Sequence, residues 1–90
     1  MINFFRVKGS SMTPNFNNED LILTTKLLIN LKVNDVVILD DPKYGVVLKR
    51  IHFLKNDQIK VTGDNKEYYS GTYDRIYKKS NIIGKVLYKF

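Results

Sequence analysis

Apolar and polar residues alternate along most of the chain, which is the pattern of β-strands that are buried on one face. The alternation predicts strands at residues 5–9, 21–25, 36–39, 45–54, 58–62 and 84–90. Turn-forming residues separate these strands, and only residues 26–31 and 73–83 could hold a helical turn. We therefore predict an all-β fold over residues 1–90 as a single domain. It should be a small folded sheet or a partly open barrel with one or two short helical turns.

The composition is that of a soluble globular domain, since 43% of the 90 residues are hydrophobic and 27% are charged. The absence of cysteine excludes disulfides, cysteine-ligated zinc and a thiol nucleophile. A multi-histidine metal site is also excluded, because His52 is the single histidine. No apolar run approaches the roughly 18 residues of a membrane helix, and the first residues lack the pattern of a secretory signal. We therefore expect a cytoplasmic protein without a membrane anchor.

The net charge of +6 is one that nucleic-acid-binding proteins also carry. However, 12 of the 15 basic residues are lysines, whereas contacts that read bases favour arginine. The chain lacks alanine and is rich in asparagine, isoleucine and lysine, as AT-biased coding produces. We therefore expect no nucleic-acid partner. A non-catalytic basic β-module that binds nucleic acid is kept as the alternative of another class.

The segment Gly9-Ser10-Ser11-Met12-Thr13-Pro14 is the first that strand propensity does not explain. It lies between a predicted strand and an acidic turn, and its glycine and proline favour a tight backbone path. A serine on such a turn exposes its hydroxyl beside free backbone N–H groups, which are the donors that an oxyanion needs. A loop without chemistry has the same composition, so the segment alone leaves both interpretations open.

A serine nucleophile needs a base, and the strand at residues 45–54 offers Lys49. Alternate strand residues share a face, which groups Lys49 with Val47, Ile51 and Phe53, whereas His52 falls on the opposite face with Arg50. Desolvation in an apolar row lowers the pKa of a lysine and makes it a competent general base. The alternative is that the Lys49 side chain extends to solvent from a strand edge.

Several motifs, in this order and spacing, resemble those of the signal peptidase I and LexA-like serine peptidase superfamily. Ser11-Met12-Thr13-Pro14 resembles its Ser-Met-x-Pro box, and residues 45–51 resemble its lysine box, in which Lys-Arg follows an apolar run. Gly63-Asp64-Asn65 is similar to the Gly-Asp-Asn box of the signal peptidases. Asn34-Asp35-Val36-Val37 resembles a Gly-Asp-Val-Val turn with Asn34 in place of glycine, and residues 82–86 resemble the closing strand.

The resemblance implies that Ser11 is the nucleophile and Lys49 the general base of a Ser/Lys dyad. It implies that Met12 forms part of the floor beside the scissile bond, and that the backbone N–H of Ser11 is one oxyanion donor. Gly9 occupies the position at which some relatives place a second serine as an oxyanion donor, and Ser10 occupies a variable position.

The resemblance also implies supporting roles for residues after the lysine box. Asp64 and Asn65 belong to the Gly-Asp-Asn box. Relatives carry a serine shortly afterwards that orients the lysine, and we predict Ser70 for this role, with Thr72 as a rival. Asp74-Arg75 corresponds to an ion pair of the family.

The function that the resemblance implies is that of a serine endopeptidase acting on a precursor polypeptide, without metal or organic cofactor. The compact form is most similar to the nickel-type superoxide dismutase maturation proteases, which remove a short N-terminal extension from their substrate. A signal-peptidase-like enzyme or a phage- or plasmid-encoded peptidase is the alternative within the same class.

Overall fold

Six strands pair into one open antiparallel sheet in the computed structural model, which describes residues 2–27 and 30–90. The strands are β1 (Ile2–Arg6), β2 (Leu21–Thr25), β3 (Val36–Asp41), β4 (Gly45–Lys55), β5 (Gln58–Thr62) and β6 (Ile82–Lys89). Their order across the sheet is β1-β2-β6-β3-β4-β5. Two short 3-10 turns, Gly71–Asp74 and Lys79–Asn81, overlap the predicted turn region at 73–83. The all-β prediction is confirmed, and the turn predicted at 26–31 includes residues outside the described part of the chain.

The centre of the sheet is β3, which is buried on both faces. Its residues Val37 and Leu39 face one core cluster, together with Ile51, Ile59, Val61, Tyr77 and Ile82. Its residues Val36 and Ile38 face a second cluster, formed with Val7, Met12, Phe16 and Ile22. A strand with both faces buried is apolar at successive positions. The run Val36-Val37-Ile38-Leu39 has this pattern.

The long strand β4 contains a bulge at His52 that changes which side chains face the core. Up to Ile51 the predicted alternation is right, because Lys49 and Ile51 are buried and lie opposite Val37 and Val61. The register then shifts, so that Leu54 pairs with Ile59 and packs against the first cluster, whereas Phe53 is exposed. The prediction that Phe53 shares the row of Lys49 is therefore wrong, since one extra residue in a strand reverses the faces beyond it.

Among the described residues, two of the strand edges that lack a neighbouring strand lie beside Ser11 and Lys49. β1 lies at one end of the sheet, and the first half of β4 is free on the side of β5, because pairing with β5 begins at Arg50. The segment that follows β1 carries Ser11, and the free half of β4 carries Lys49. Within the described residues, no helix is both long and apolar enough to cross a membrane.

The first core cluster predicts a large stability effect at Ile51, which is fully buried. We expect Ile51→Ala to lower the free energy of unfolding by about 2–5 kcal/mol, because the cavity adds to the lost burial of methyl groups. Urea denaturation followed by circular dichroism measures this difference. Val46→Ala, at an exposed position of the same strand, should change stability by no more than about 0.5 kcal/mol. Equal losses in the two variants would contradict the assignment of faces along β4.

Candidate active site

Ser11 and Lys49 are separated by 38 residues in the sequence but are in hydrogen-bond contact in the structure, with 2.7 Å between Lys49 Nζ and Ser11 Oγ. The serine lies in the turn that follows β1, and the lysine lies in the middle of β4. The prediction that these two atoms lie within hydrogen-bond reach is confirmed. A hydroxyl and an amine at this distance can exchange a proton directly.

Lys49 is only 3% exposed, and burial lowers its pKa to about 8. Val37 lies directly across from it on β3, and Val47 and Ile51 flank it on its own face. At pH 7 roughly one lysine in ten with this pKa is neutral, compared with fewer than one in a thousand at the ordinary value. The apolar row predicted from the sequence therefore makes an amine that can accept a proton near neutral pH.

Two tyrosine rings cover the amine of Lys49. Its Nζ lies 5.5 Å from the centre of the Tyr68 ring and 5.4 Å from that of Tyr73. Among the described residues, neither Ser70 nor Thr72 makes a hydrogen bond to Lys49. The Ser70 hydroxyl instead lies 3.0 Å from that of Thr72 and accepts a hydrogen bond from the Thr72 N–H, as the N-cap of the 3-10 turn. The structure therefore does not bear out the orienting contact predicted for Ser70 or Thr72.

Asn65 ties the serine turn to the end of β5. Its backbone N–H donates to the carbonyl oxygen of Ser11 at 2.9 Å, and its side-chain amide donates to that of Ser10 at 3.0 Å. Thr13 also donates to the Ser10 carbonyl oxygen, from both its N–H and its hydroxyl. These bonds fix the backbone on either side of the nucleophile candidate, so Asn65 and Ser10 act as supports of the turn.

Asp64 forms a two-point ion pair with Arg50, with both nitrogen–oxygen distances at 2.7 Å. It also accepts a hydrogen bond from Asn15 at 2.8 Å, and Arg50 donates to the carbonyl oxygen of Asn34. Hydrogen bonds from Arg50 hold the pKa of Asp64 below its ordinary value, against the opposing effect of burial. Through this pair, the residue next to Lys49 holds three loops together around the site.

Gly63 is needed because the chain comes very close to the serine turn at this point. A Cβ atom at this position would lie 2.6 Å from the carbonyl oxygen of Ser11 and still closer to the hydroxyl of Tyr73. Since real Cβ contacts are not this short, any side chain would push the serine turn or Tyr73 away. The glycine of the Gly-Asp-Asn segment therefore has a packing role, beyond that of a plain turn.

Asn34 explains one departure from the family motif. Its φ is +81°, in the left-handed region that glycine adopts without strain and that asparagine tolerates. Asparagine in place of glycine therefore keeps the turn that leads into β3.

The surroundings of the Ser11 hydroxyl differ in part from those that the resemblance implies. No described residue accepts a hydrogen bond from the Ser11 N–H, whereas the N–H of Gly9 donates to the Asn18 side chain. Met12 is 1% exposed and packs into the second core cluster. The predicted place of Met12 on the floor beside the scissile bond is therefore not what the structure shows, because its side chain turns inward to anchor the turn.

Asp74 and Arg75 do not pair with each other. Arg75 lies 3.4 Å from the carboxylate of Asp41, and the Asp74 carboxylate accepts a hydrogen bond from the hydroxyl of Tyr69. The predicted ion pair is therefore replaced, because the 3-10 turn Gly71–Asp74 ends between the two residues and the chain continues in an extended conformation.

A groove of about 460 Å³ runs past the two candidate residues. One wall is formed by residues 5–9, which run from the end of β1 into the serine turn, and the other by residues 46–49 in the free half of β4, while Tyr68 closes part of the groove. The buried side chains of Ile22 and Ile38 lie at its floor. The groove therefore passes directly beside Ser11 and Lys49, which both belong to its lining.

Sequence reasoning missed four residues of the site, which are Arg50, Asn15, Tyr68 and Tyr73. The Lys-Arg pair of β4 and the acidic residue of Gly63-Asp64-Asn65 were a usable signal for the Arg50–Asp64 pair. Nothing in the pattern of residues 66–76 indicated which tyrosines would reach Lys49.

Comparison with known families fits this geometry. A sequence model of the Peptidase S24-like family matches residues 2–87, which is nearly the whole chain. The protein therefore belongs to the Peptidase S24-like family, and its domain is a serine peptidase domain of the LexA and signal peptidase type. The superfamily that the motifs resembled is confirmed. A comparison with curated proteins gave no match.

The close approach at Gly63 predicts a specific effect of Gly63→Ala. We expect the added methyl group to displace residues 10–13 and to lower the free energy of unfolding by about 1–3 kcal/mol, as overpacking does. Amide chemical shifts of residues 10–13 and urea denaturation measure the two effects. Gly45→Asn is the matched control, because a Cβ there meets no atom within 4 Å and asparagine tolerates its positive φ. Unchanged amide shifts in Gly63→Ala would contradict the proposed packing role.

Proposed function

We propose that this protein is a serine endopeptidase in which Ser11 is the nucleophile and Lys49 the general base. The observation that carries the proposal is the 2.7 Å contact between the Ser11 hydroxyl and the buried amine of Lys49. A serine hydroxyl is a weak nucleophile until a neighbouring base removes its proton, and a lysine serves only when it is neutral. Burial lowers the pKa of Lys49 to about 8, so a usable fraction of the amine is neutral near neutral pH.

The reaction follows from this geometry in two steps. In the first, Ser11 Oγ attacks the peptide carbonyl carbon, its proton passes to Lys49 Nζ, and Lys49 returns the proton to the leaving amine as the acyl-enzyme forms. In the second, Lys49 takes a proton from water as the water oxygen attacks the ester carbon, and Lys49 returns this proton to Ser11 Oγ as the bond to the acyl group breaks and the acid product leaves. The N–H of Ser11, for which no described residue is an acceptor, is the candidate donor to the oxyanion.

The two free strand edges support an extended peptide as the substrate. Val7 directs both its N–H and its carbonyl oxygen toward residues 19 and 20, so strand alternation turns the backbone groups of Lys8 toward the groove. A peptide that pairs with this edge gains main-chain hydrogen bonds whatever its sequence, so selection must come from the side chains that line the groove, and the motif resemblance implies small residues near the scissile bond.

The finer assignment is a precursor from which a short N-terminal extension is removed. An extended terminal segment enters an open groove without unfolding the rest of the substrate, which favours cleavage near a chain end. The motif resemblance offers a nickel superoxide dismutase precursor as the candidate, and a cytoplasmic location remains a prediction. A signal-peptidase-like or phage- or plasmid-encoded peptidase is the alternative.

The proposal predicts that cleavage of this precursor depends on both residues of the dyad. Wild-type protein should trim the precursor, whereas Ser11→Ala and Lys49→Arg should each reduce kcat/KM by about 10³-fold or more. Ser11→Ala removes the attacking hydroxyl, and Lys49→Arg replaces the base with a guanidinium that does not lose its proton at these pH values. Mass spectrometry of the products gives both the rate and the cleavage site. His52→Ala is the control and should keep most activity, since His52 is exposed at the bulge and lies away from the groove.

Three outcomes would redirect the assignment. Retained activity in Lys49→Arg would show that another group is the base. Cleavage of a membrane-bound preprotein, but not of the precursor, would favour the signal-peptidase-like alternative. Polyanion binding that falls steeply with salt, with no cleavage of any precursor, would favour the nucleic-acid alternative.

The lowered pKa of Lys49 predicts the pH dependence of the reaction. The neutral amine is the active form, so kcat/KM should rise about tenfold per pH unit below the pKa and level off above about 8. Initial rates between pH 6 and pH 10 measure the profile. A rise that continues to pH 10 would show that Lys49 keeps the ordinary pKa of lysine, and a profile flat from pH 6 would exclude it as the base.

A further inference from the structure

We propose that the rings of Tyr68 and Tyr73 position Lys49 for proton transfer, in the role that a hydroxyl side chain was expected to fill. The inference rests on the proposed function, since it concerns the base of the same dyad. It assigns a role to two residues that neither the motif resemblance nor the family match singles out.

The first observation is how few polar contacts hold the amine of Lys49. Its one hydrogen bond among the described residues is to Ser11 Oγ. A lysine side chain has four rotatable carbon–carbon bonds, and a single hydrogen bond leaves many of its conformations open. Something else must restrict Nζ to the side of the serine, and the groups that surround it are the rings of Tyr68 and Tyr73.

The second observation is the way in which the Tyr73 ring is held. Its hydroxyl lies against Gly63, and its ring packs edge to face against that of Tyr69, with 5.6 Å between the ring centres. The Tyr69 hydroxyl donates in turn to Asp74. Tyr73 is therefore a fixed wall of the lysine site, and Asp74, which lacks its expected arginine partner, supports that wall through Tyr69.

Tyr68 differs from Tyr73 because it faces both Lys49 and the groove. Its side chain is 46% exposed, and it lines the groove on the side of β4. A peptide lying in the groove would contact this ring and complete the shielding of Lys49 from water. Tyr68 is thus the part of the aromatic cover that a substrate can close.

The rings act on the lysine in two opposite ways. The face of an aromatic ring attracts an ammonium group and favours its protonated form, whereas exclusion of water disfavours that form. Burial is the cause of the lowered pKa of Lys49, so we expect desolvation to be the stronger effect of the rings. Removing a ring should therefore admit water and raise the pKa.

The strand neighbours of Lys49 share in its desolvation, and the charge of its neighbour on β4 is neutralised by a partner. The strand neighbours Val37, Val47 and Ile51 are apolar, and the charge of Arg50 is paired with Asp64. Burial raises the pKa of Tyr73, followed by the effect of Tyr68, so Tyr73 stays a neutral phenol at the pH of the reaction.

The test compares Tyr68→Ala and Tyr73→Ala with Tyr68→Phe and Tyr73→Phe. In each alanine variant we expect the apparent pKa of Lys49 to rise from about 8 to about 9, which reduces kcat/KM at pH 7 about tenfold. The phenylalanine variants keep the ring and should stay within about twofold of wild type. Tyr88→Ala is the control, because Tyr88 is exposed and stacks on Phe90.

Two readouts separate this inference from the proposed function. The pH profile of kcat/KM needs peptidase activity, whereas NMR titration of ¹³C-labelled lysine side chains does not. The Lys49 resonance is identified by its loss in Lys49→Met. If wild type cleaves no substrate but the alanine variants shift the Lys49 titration as expected, the proposed function fails and the positioning of Lys49 by the rings stands.

Two results would overturn the inference. One is an unchanged Lys49 titration in Tyr68→Ala together with unchanged kcat/KM, and this variant alters an exposed residue, so it decides the question even if Tyr73→Ala does not fold. The other is an equal loss in the phenylalanine and alanine variants, which would assign the effect to the hydroxyl groups instead of the rings.

Discussion

The burial of one amine is the constraint on which the rest of the site depends. Placing Lys49 in an apolar row costs stability, because a lysine that is charged in water must lose its proton or its hydration when it folds into that row. Below pH 8 it is protonated in both folded and unfolded states, so the full cost is present, and the cost declines as pH rises from about 8 toward the ordinary pKa. The two-sided core at β3 offsets this cost and keeps the strand that carries the lysine rigid.

The proposed base lies on a strand, and it can act only if the proposed nucleophile, which lies on a turn, is held against it. Residues 63–65, which follow β5, hold the turn and the strand together. Asn65 fixes the carbonyl groups of the serine turn, Gly63 lets the two backbones approach, and Asp64 is held by Arg50, the neighbour of the lysine. The position of Ser11 relative to Lys49 is thus set by the contacts of residues 63–65 with the serine turn on one side and with Arg50 on the other. A displacement of any of these residues would change the 2.7 Å distance between Lys49 Nζ and Ser11 Oγ.

Most regular elements could be predicted from the sequence, although β1 lies at Ile2–Arg6 instead of residues 5–9, and the irregular elements could not be predicted. The bounds of β2 and β5 follow from strand alternation between turn residues, and the same alternation placed Lys49 in the core. The bulge at His52 gave no signal, because its residues are ordinary strand formers and the register of β5 decides where the extra residue falls. No regular alternation fixes the side-chain directions around the 3-10 turn, where Ser70, Asp74 and Arg75 lie. Tertiary contacts therefore determine the partners of these side chains.

The open sheet links the proposed dyad to the extended peptide that we propose as its substrate. Since β5 leaves the first half of β4 unpaired and β1 ends the sheet, the groove between them is lined by two strand edges. Exposed edges tend to pair with any extended chain, and proteins commonly block them with charge. Here Arg6, at the end of β1, and Lys8, just beyond it, line the groove. A peptide must therefore carry either compatible charge or side chains that fit the groove in order to bind. In the proposed mechanism, recognition by backbone pairing and the desolvation of Lys49 would therefore reinforce each other, because a paired peptide would also exclude water from the amine.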